Sequence, residues 1–434
     1  MKAPLHYSLL LFLGFLAATT TCTRATLDVT GQPETRSSFP DVKNSVSVQG
    51  QVLPPEGIHS IQLYRDIPEN APIIKLNGNE QLTLKFDELG FDIRTFRVRF
   101  THHDADWSSS TLLPNFYQQG FREDVITDSQ VSQVQRPAYT HYTYKFPNND
   151  LDFLISGNYM IEVYDVERDE IVFSLPFFVQ ENTGLLETQI EELFGMDERY
   201  LLHHQIFATY SYPDEVVIPD VDLQTRFVQN HFWGRARQAD VVGMATTGEI
   251  RSHNIRDNAY VGRFEFRRLD LQRLQQEAYN IIEVRPETIP PKVFLAHDVV
   301  NLDINPGISQ SHRFGTAIDN LEARYADVYF ELELPHQERT NSPVYVIGPF
   351  NNWSINENQR MIYNRETESY TGNAIIKEGM YDYKYALVED STVNDIRLDA
   401  SLADSRQIYH TFIYFNDPQT LSDRLLKVHA HTTR

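Results

Sequence analysis

Apolar and polar residues alternate with a period of two, in short runs spread along the whole chain, and this pattern leaves few folds open. Leu82, Leu84 and Phe86 alternate with polar neighbours, and Phe96, Val98 and Phe100 alternate with Arg97 and Arg99. Tyr142, Tyr144 and Phe146 oppose His141, Thr143 and Lys145, while Tyr159, Ile161 and Val163 share a face. Further on, Val328, Phe330, Leu332 and Leu334 alternate with Tyr329, Glu331 and Glu333. Side chains of a strand point to opposite faces in turn, so each run reads as a strand with one face buried. Gly, Pro, Asn and Asp bound the runs, as in PNND at 147–150 and SGN at 156–158, which supplies the turns of antiparallel sheets. The 26 Phe and 23 Tyr suit pleated surfaces. The expectation is an all-β, multidomain chain of successive antiparallel β-sandwich domains, immunoglobulin-like in type. Helical periodicity is best at 186–194 (LETQIEELF) and 269–278 (LDLQRLQQEA), and both stretches are short.

With 434 residues, the chain exceeds the roughly 100–200 residues of one ordinary domain. The divisions expected are a signal peptide at 1–25, an N-terminal extension at 26–45, a first β-sandwich at 46–180, a second β domain at 181–325 and an immunoglobulin-like domain at 326–434. The segment 181–189 reads as a linker and 305–315 as a polar boundary. The leader follows from Lys2, the apolar stretch Leu9 to Ala18, and the small residues TTTCTRAT after it. Cleavage is expected between about Ala18 and Ala25. Cys22 is the only cysteine; it could be a lipidated N-terminus, although Thr19, Thr20 and Thr21 do not suit a lipoprotein signal. Cleavage after Ala25 would leave no cysteine for disulfides or metal ligation, which fits a bacterial periplasm better than a eukaryotic secretory route. No internal run reaches the ~18 apolar residues of a membrane span.

A net charge of -22, from 38 basic and 60 acidic residues, argues against nucleic acid, because phosphate contacts need a Lys/Arg surplus. His102, Asp104 and Asp106 in THHDADW would share a strand face and could ligate a divalent cation. The same residues serve equally as caps at a strand end, with Trp107 packed on the sandwich edge, and that reading is preferred. His203 with His204, and His429 with His431, read as solvated surface or chain end. No HExxH, GxSxG or phosphate-binding loop is present. Neither catalysis nor a cofactor is therefore expected, although scattered carboxylate pairs of glycosidase type stay open. VYVIGPFNNW at 344–353 resembles the G-x-F-N-x-W stretch of early-set immunoglobulin-like modules, including glucan binders. Trp353 could stack on a sugar or fill a sandwich corner. The strands at 381–388 and 409–415 would complete such a module.

Several longer stretches exceed a generic β pattern: 76–89, 97–121, 139–165, 227–230 and 378–385. Together with 344–353 they resemble the plug protein of the type IX secretion system, formerly a domain of unknown function in Bacteroidetes-type bacteria. The resemblance runs from about Val46 to about Lys427. Its most specific part is D-W-S-x-S-x-L-x-P-N-x-Y-x-x-G-F, from Asp106 to Phe121, followed by S-G-N-Y at 156–159. His103 departs from it, standing where a cysteine is expected. The resemblance implies a periplasmic, non-enzymatic protein at the inner face of the outer membrane. Its implied partner is the outer-membrane β-barrel translocon, whose periplasmic opening it would seal, as a monomer in a 1:1 complex, when no cargo is in transit. The alternative is a glycan-binding accessory protein using the C-terminal module. Aromatic and Arg residues dominate interfaces, which makes Trp107, Phe116, Tyr117, Phe121 and Arg122 the candidate partner-binding residues.

Overall fold

The computed structural model describes residues 43–90, 93–196, 202–262, 266–274, 280–300, 316–335, 339–398 and 406–433. The expected signal peptide, Cys22 and the 305–315 stretch lie outside the described residues.

The alternating strands pair as the pattern requires, and the molecule is all-β. In the first sandwich a four-stranded sheet runs in the order Ile58–Arg65, Leu82–Leu89, Tyr139–Phe146, Asp128–Val131. A five-stranded sheet faces it, in the order Ile73–Lys75, Glu170–Gln180, Gly157–Asp165, Phe96–His103, Glu123–Val125. The apolar phases of both sheets meet between them: Phe86 lies 5.3 Å from Phe96 and 5.2 Å from Phe173, ring centre to ring centre. Edge-to-face pairs of this kind add about 0.5–1.5 kcal/mol to simple burial.

The second sandwich is built from distant parts of the chain. One sheet runs Leu185–Leu193, His203–Ser211, Glu249–His253, Val241–Thr246. The other runs Arg237–Gln238, Leu223–Gln229, Ile408–Asp417, Ser422–Thr432. Leu186, Ile206, Ile250, Phe227, Tyr409 and Ile413 fill the space between them. The third sandwich is one eleven-stranded sheet folded over on itself. Phe330 of the Tyr325–Glu333 strand and Tyr383 of the Gly379–Glu389 strand are far apart in strand order, yet their rings are 5.1 Å apart across the core.

The helix expected at 186–194 is a strand. Leu186 and Ile190 share one face at a spacing of four, which satisfies a helix and a strand alike. Pairing with His203–Ser211 along the whole strand decides for the sheet. Leu185–Leu193 also takes in the second half of the expected linker. In its first half, Glu181 and Thr183 donate backbone hydrogen bonds to Leu425 and Leu426 at 2.9 and 3.0 Å. The helix expected at 269–278 begins instead as the strand Arg267–Asp270, paired with 379–389; residues 275–279 lie outside the described residues. His204 is buried, not solvated, and its Nδ1 is 2.7 Å from the Tyr409 hydroxyl. His429 and His431 sit on a strand paired in register with Ile408–Asp417, not on a frayed end.

Candidate functional site

The Asp106–Phe121 signature begins where Phe96–His103 leaves its sheet. Asp104 N donates to Ser108 O at 3.0 Å and Trp107 N to Asp104 O at 2.9 Å, closing a tight turn. Trp107 holds a left-handed backbone, φ 70°, uncommon for a bulky residue. It is fixed by the His103 ring, whose Nδ1 is 3.1 Å from Trp107 O, and by packing of its own indole. That indole is buried against Phe178 at 5.5 Å, and Phe178 contacts Trp233 at 5.0 Å and Phe412 at 4.8 Å. Trp107 thus joins the first sandwich to the second.

His102 and the two aspartates do not converge on a cation. His102 is buried, with Nε2 3.2 Å from Ser156 O. Loss of hydration pushes its pKa down to about 4, outweighing the Ser156 bond. Asp104 accepts from Asp423 N at 3.1 Å, and Asp106 accepts from Ser108 N at 2.9 Å as a local cap. Among the described residues, no three His, Cys, Asp or Glu side chains are grouped to hold a metal ion.

After the turn, Pro114–Tyr117 forms one helical turn, and Gln118–Gly120 pairs with Leu151–Phe153. Tyr117 points inward: it is buried, and its hydroxyl donates to Phe100 O at 3.1 Å. Phe116 and Phe121 point out, at 65% and 63% exposure, and Arg122 is exposed beside them with Nη2 on Asn115 Oδ1 at 2.9 Å. The five candidate residues therefore divide, with Trp107 and Tyr117 taking the support behind and Phe116, Phe121 and Arg122 the surface. Leu113 and Leu154 are also exposed here and were missed by sequence reasoning. Backbone bonds draw them in, Phe116 N to Leu113 O and Leu154 N to Tyr117 O, both 2.9 Å. Leu113 could have been noticed as an apolar residue beside a proline. Leu154 is joined to the patch only through the 118–120 and 151–153 strand pair. The result is an exposed apolar cluster with an aromatic centre on a rigid base, the kind of surface that marks protein contacts.

Trp353, from the immunoglobulin-like signature, is buried between Phe232 and Phe266, each 5.5 Å away. It fills a corner where the second and third sandwiches meet. On the outside of the third sandwich, Phe294 and Tyr329 stack at 4.7 Å. Arg285 and Lys292 lie over those rings at 4.5 and 5.2 Å, covering the faces a sugar would need. A cavity of about 190 Å³ lies at the junction of the first and third sandwiches, bordered by Trp233, Phe350, Trp353, Lys377 and Tyr381, and no carboxylate lines it. Asp298 accepts from the Tyr383 and Tyr385 hydroxyls at 2.6 Å and from Arg267 at 3.2 Å, so its oxygens are committed within the core.

These features define an all-β protein that presents preformed surfaces. Residues 58–181 match the type 9 secretion system plug protein 1st domain, so over that stretch the chain is similar to this family of type IX secretion components. The family points to a non-enzymatic secretion component with a periplasmic or envelope location. Among the described residues no helix is long and apolar enough to cross a membrane. No curated protein matches the chain. Among solved structures, a hypothetical protein from Parabacteroides merdae has a TM-score of 0.79 at 23% identity, covering 88% of this chain and 99% of that one. That protein shares the fold. The biofilm associated protein BSP domain aligns at 8% identity over 92% of this chain and 61% of that one, with a TM-score of 0.18. The C-terminal domain of a Streptococcus pyogenes antigen I/II-family protein aligns at 10% identity over 86% and 100%, with a TM-score of 0.15. Both scores are too low to carry an argument.

Proposed function

We propose that this protein binds the periplasmic opening of the outer-membrane translocon barrel of the type IX secretion system and seals it when no cargo is in transit. The observation that carries this reading is the match of residues 58–181 to the plug first domain. The contact is assigned to Leu113, Phe116, Phe121, Arg122 and Leu154, which stand exposed at one end of that domain. A pore wide enough for folded cargo leaks unless it is occluded, and a rigid sandwich loses little entropy on docking. The protein acts after removal of its signal peptide, as a monomer in a 1:1 complex at the inner face of the outer membrane. The 46–180 division is kept for the first sandwich, whereas the sequence divisions 181–325 and 326–434 are crossed, since strands 267–270 and 281–299 pair into the third sandwich and strands 408–417 and 422–432 into the second.

Affinity purification from detergent-solubilised outer membrane tests the reading. The tagged wild-type chain should recover a very large β-barrel protein in near-equal amount. A Phe116→Ser, Phe121→Ser double variant should recover far less at an unchanged melting temperature. Absence of the barrel from the wild-type preparation sinks the function; equal recovery by both chains sinks only the surface.

A further inference from the structure

The strand Val241–Thr246 ends its sheet, and among the described residues no strand pairs on its outer side. An open edge of this kind is a template for another backbone, and proteins usually blunt it with charge, proline or a covering segment. The strands that end the main order of the other four-, five- and eleven-stranded sheets each carry a charged side chain, such as Lys75, Glu123 or Arg285, although the short side strands Tyr260–Val261, Thr316–Ala317 and Thr392–Asn394 do not. The sequence here is VVGMAT, with neither charge nor proline. Val241, Met244, Ala245 and Thr246 are exposed along it. The Pro219–Asp222 turn comes within contact of this strand, and at that turn Val217, Ile218 and Val221 are exposed, Val217 at 80% and Val221 at 74%. An unguarded backbone edge thus lies beside an apolar ledge.

We infer that this edge accepts an extended peptide strand of a partner protein, apolar at alternate positions and basic at its ends. An extended strand meets both features at once: its backbone completes the sheet while every second side chain covers the ledge. A helix would leave the edge unpaired. The charge requirement comes from Asp220 on the Pro219–Asp222 turn and Asp240 next to Val241, both exposed; Asp240 also accepts from Ile255 N at 2.8 Å, and Arg251 stands across the ladder from Gly243. The inference stands apart from the barrel-sealing reading, since strand 241–246 belongs to the second sandwich and not to residues 58–181.

The test uses the full mature chain and the synthetic peptide Lys-Val-Thr-Val-Thr-Val-Thr-Lys. Binding should slow hydrogen exchange at the amides of 241–246. The same peptide N-methylated at alternate amides should bind at least about tenfold more weakly. A Cβ at Gly243 would meet open space, so both variants at this position should fold. Gly243→Lys should lose binding by a similar factor, and Gly243→Ala should keep it. No protection at 241–246, or equal binding of the N-methylated peptide, overturns the inference. Protection of those amides by self-association without peptide also overturns it, making the edge a contact between copies of this chain.

Discussion

Asp87 of the first sandwich and Lys377 of the third form a buried ion pair, with Lys377 Nζ 2.7 Å from Asp87 Oδ2. The same oxygen accepts from the Tyr325 hydroxyl at 2.6 Å, and the His141 ring bonds the other. Burial works to raise the Asp87 pKa, but His141 and Lys377 together hold it below the usual carboxylate range. The ammonium also lies over the Tyr139 ring at 4.3 Å. Two sandwiches that the chain separates by hundreds of residues are thus joined at one charged point. Removing one partner of such a pair strands the other without water. Lys377→Met should therefore cost about 3–5 kcal/mol of stability. The double variant Asp87→Leu, Lys377→Met should cost less than the sum of the two single ones. Urea denaturation of the four proteins checks this; additive losses would show that the two groups act independently.

Acid should loosen the protein well above the range where carboxylates titrate. Burial holds the pKa of His59, His102 and His231 near 4, against an ordinary value of 6.5. These rings are neutral in the folded protein and take up protons more readily when unfolded, so the unfolded state binds more protons below the ordinary value. Stability is complete above about pH 6.5 and falls as the pH drops towards about 4, with Asp87 adding to the loss lower still. Thermal midpoints across that range test the sign. A flat midpoint between pH 7 and pH 5 would contradict it, and His102→Asn should flatten the curve in part.

Two tryptophan and phenylalanine positions in one signature should behave in opposite ways. Trp107→Ala removes a buried ring joining two sandwiches, which should cost about 3–5 kcal/mol. Phe116→Ser removes an exposed ring and should leave the melting temperature unchanged or slightly raised. Calorimetry of the two variants separates support from surface; similar losses would mean that Phe116 packs in solution.

The all-β class was legible because alternation reports one buried face, as the runs at 82–86 and 96–100 show. Long-range assembly was not. Nothing in LQTRFVQN says that its neighbour is Ile408–Asp417, since any half-buried strand offers the same face to any partner. The 186–194 stretch misled because a spacing of four fits helix and strand alike. In the candidate site, period two cannot sort Phe116 from Tyr117, because they lie on a single helical turn outside the sheets. The ion pair of Asp87 and Lys377 was invisible for a related reason: each is one charge among many until the fold brings them together.

Gly120 should be the most sensitive single position for the exposed patch. Its φ is 92°, a region that side chains rarely adopt, and a Cβ there would stand 1.9 Å from Asp150 O. The neighbouring Phe121 N donates to that same carbonyl at 3.0 Å, so the close approach is what brings residues 118–121 against 150–153. Gly120→Ala must move that backbone, at about 1–3 kcal/mol for the dihedral alone, and the pair between Gln118–Gly120 and Leu151–Phe153 should open. Phe116, Phe121 and Leu154 then keep their chemistry but lose their common base. Recovery of the translocon should fall as far as in the Phe116→Ser, Phe121→Ser variant, with faster proteolysis confined to 113–122 and 148–155. Normal recovery alongside that local cleavage would mean that the partner needs only the side chains and not their arrangement, and the preformed-surface argument would fail.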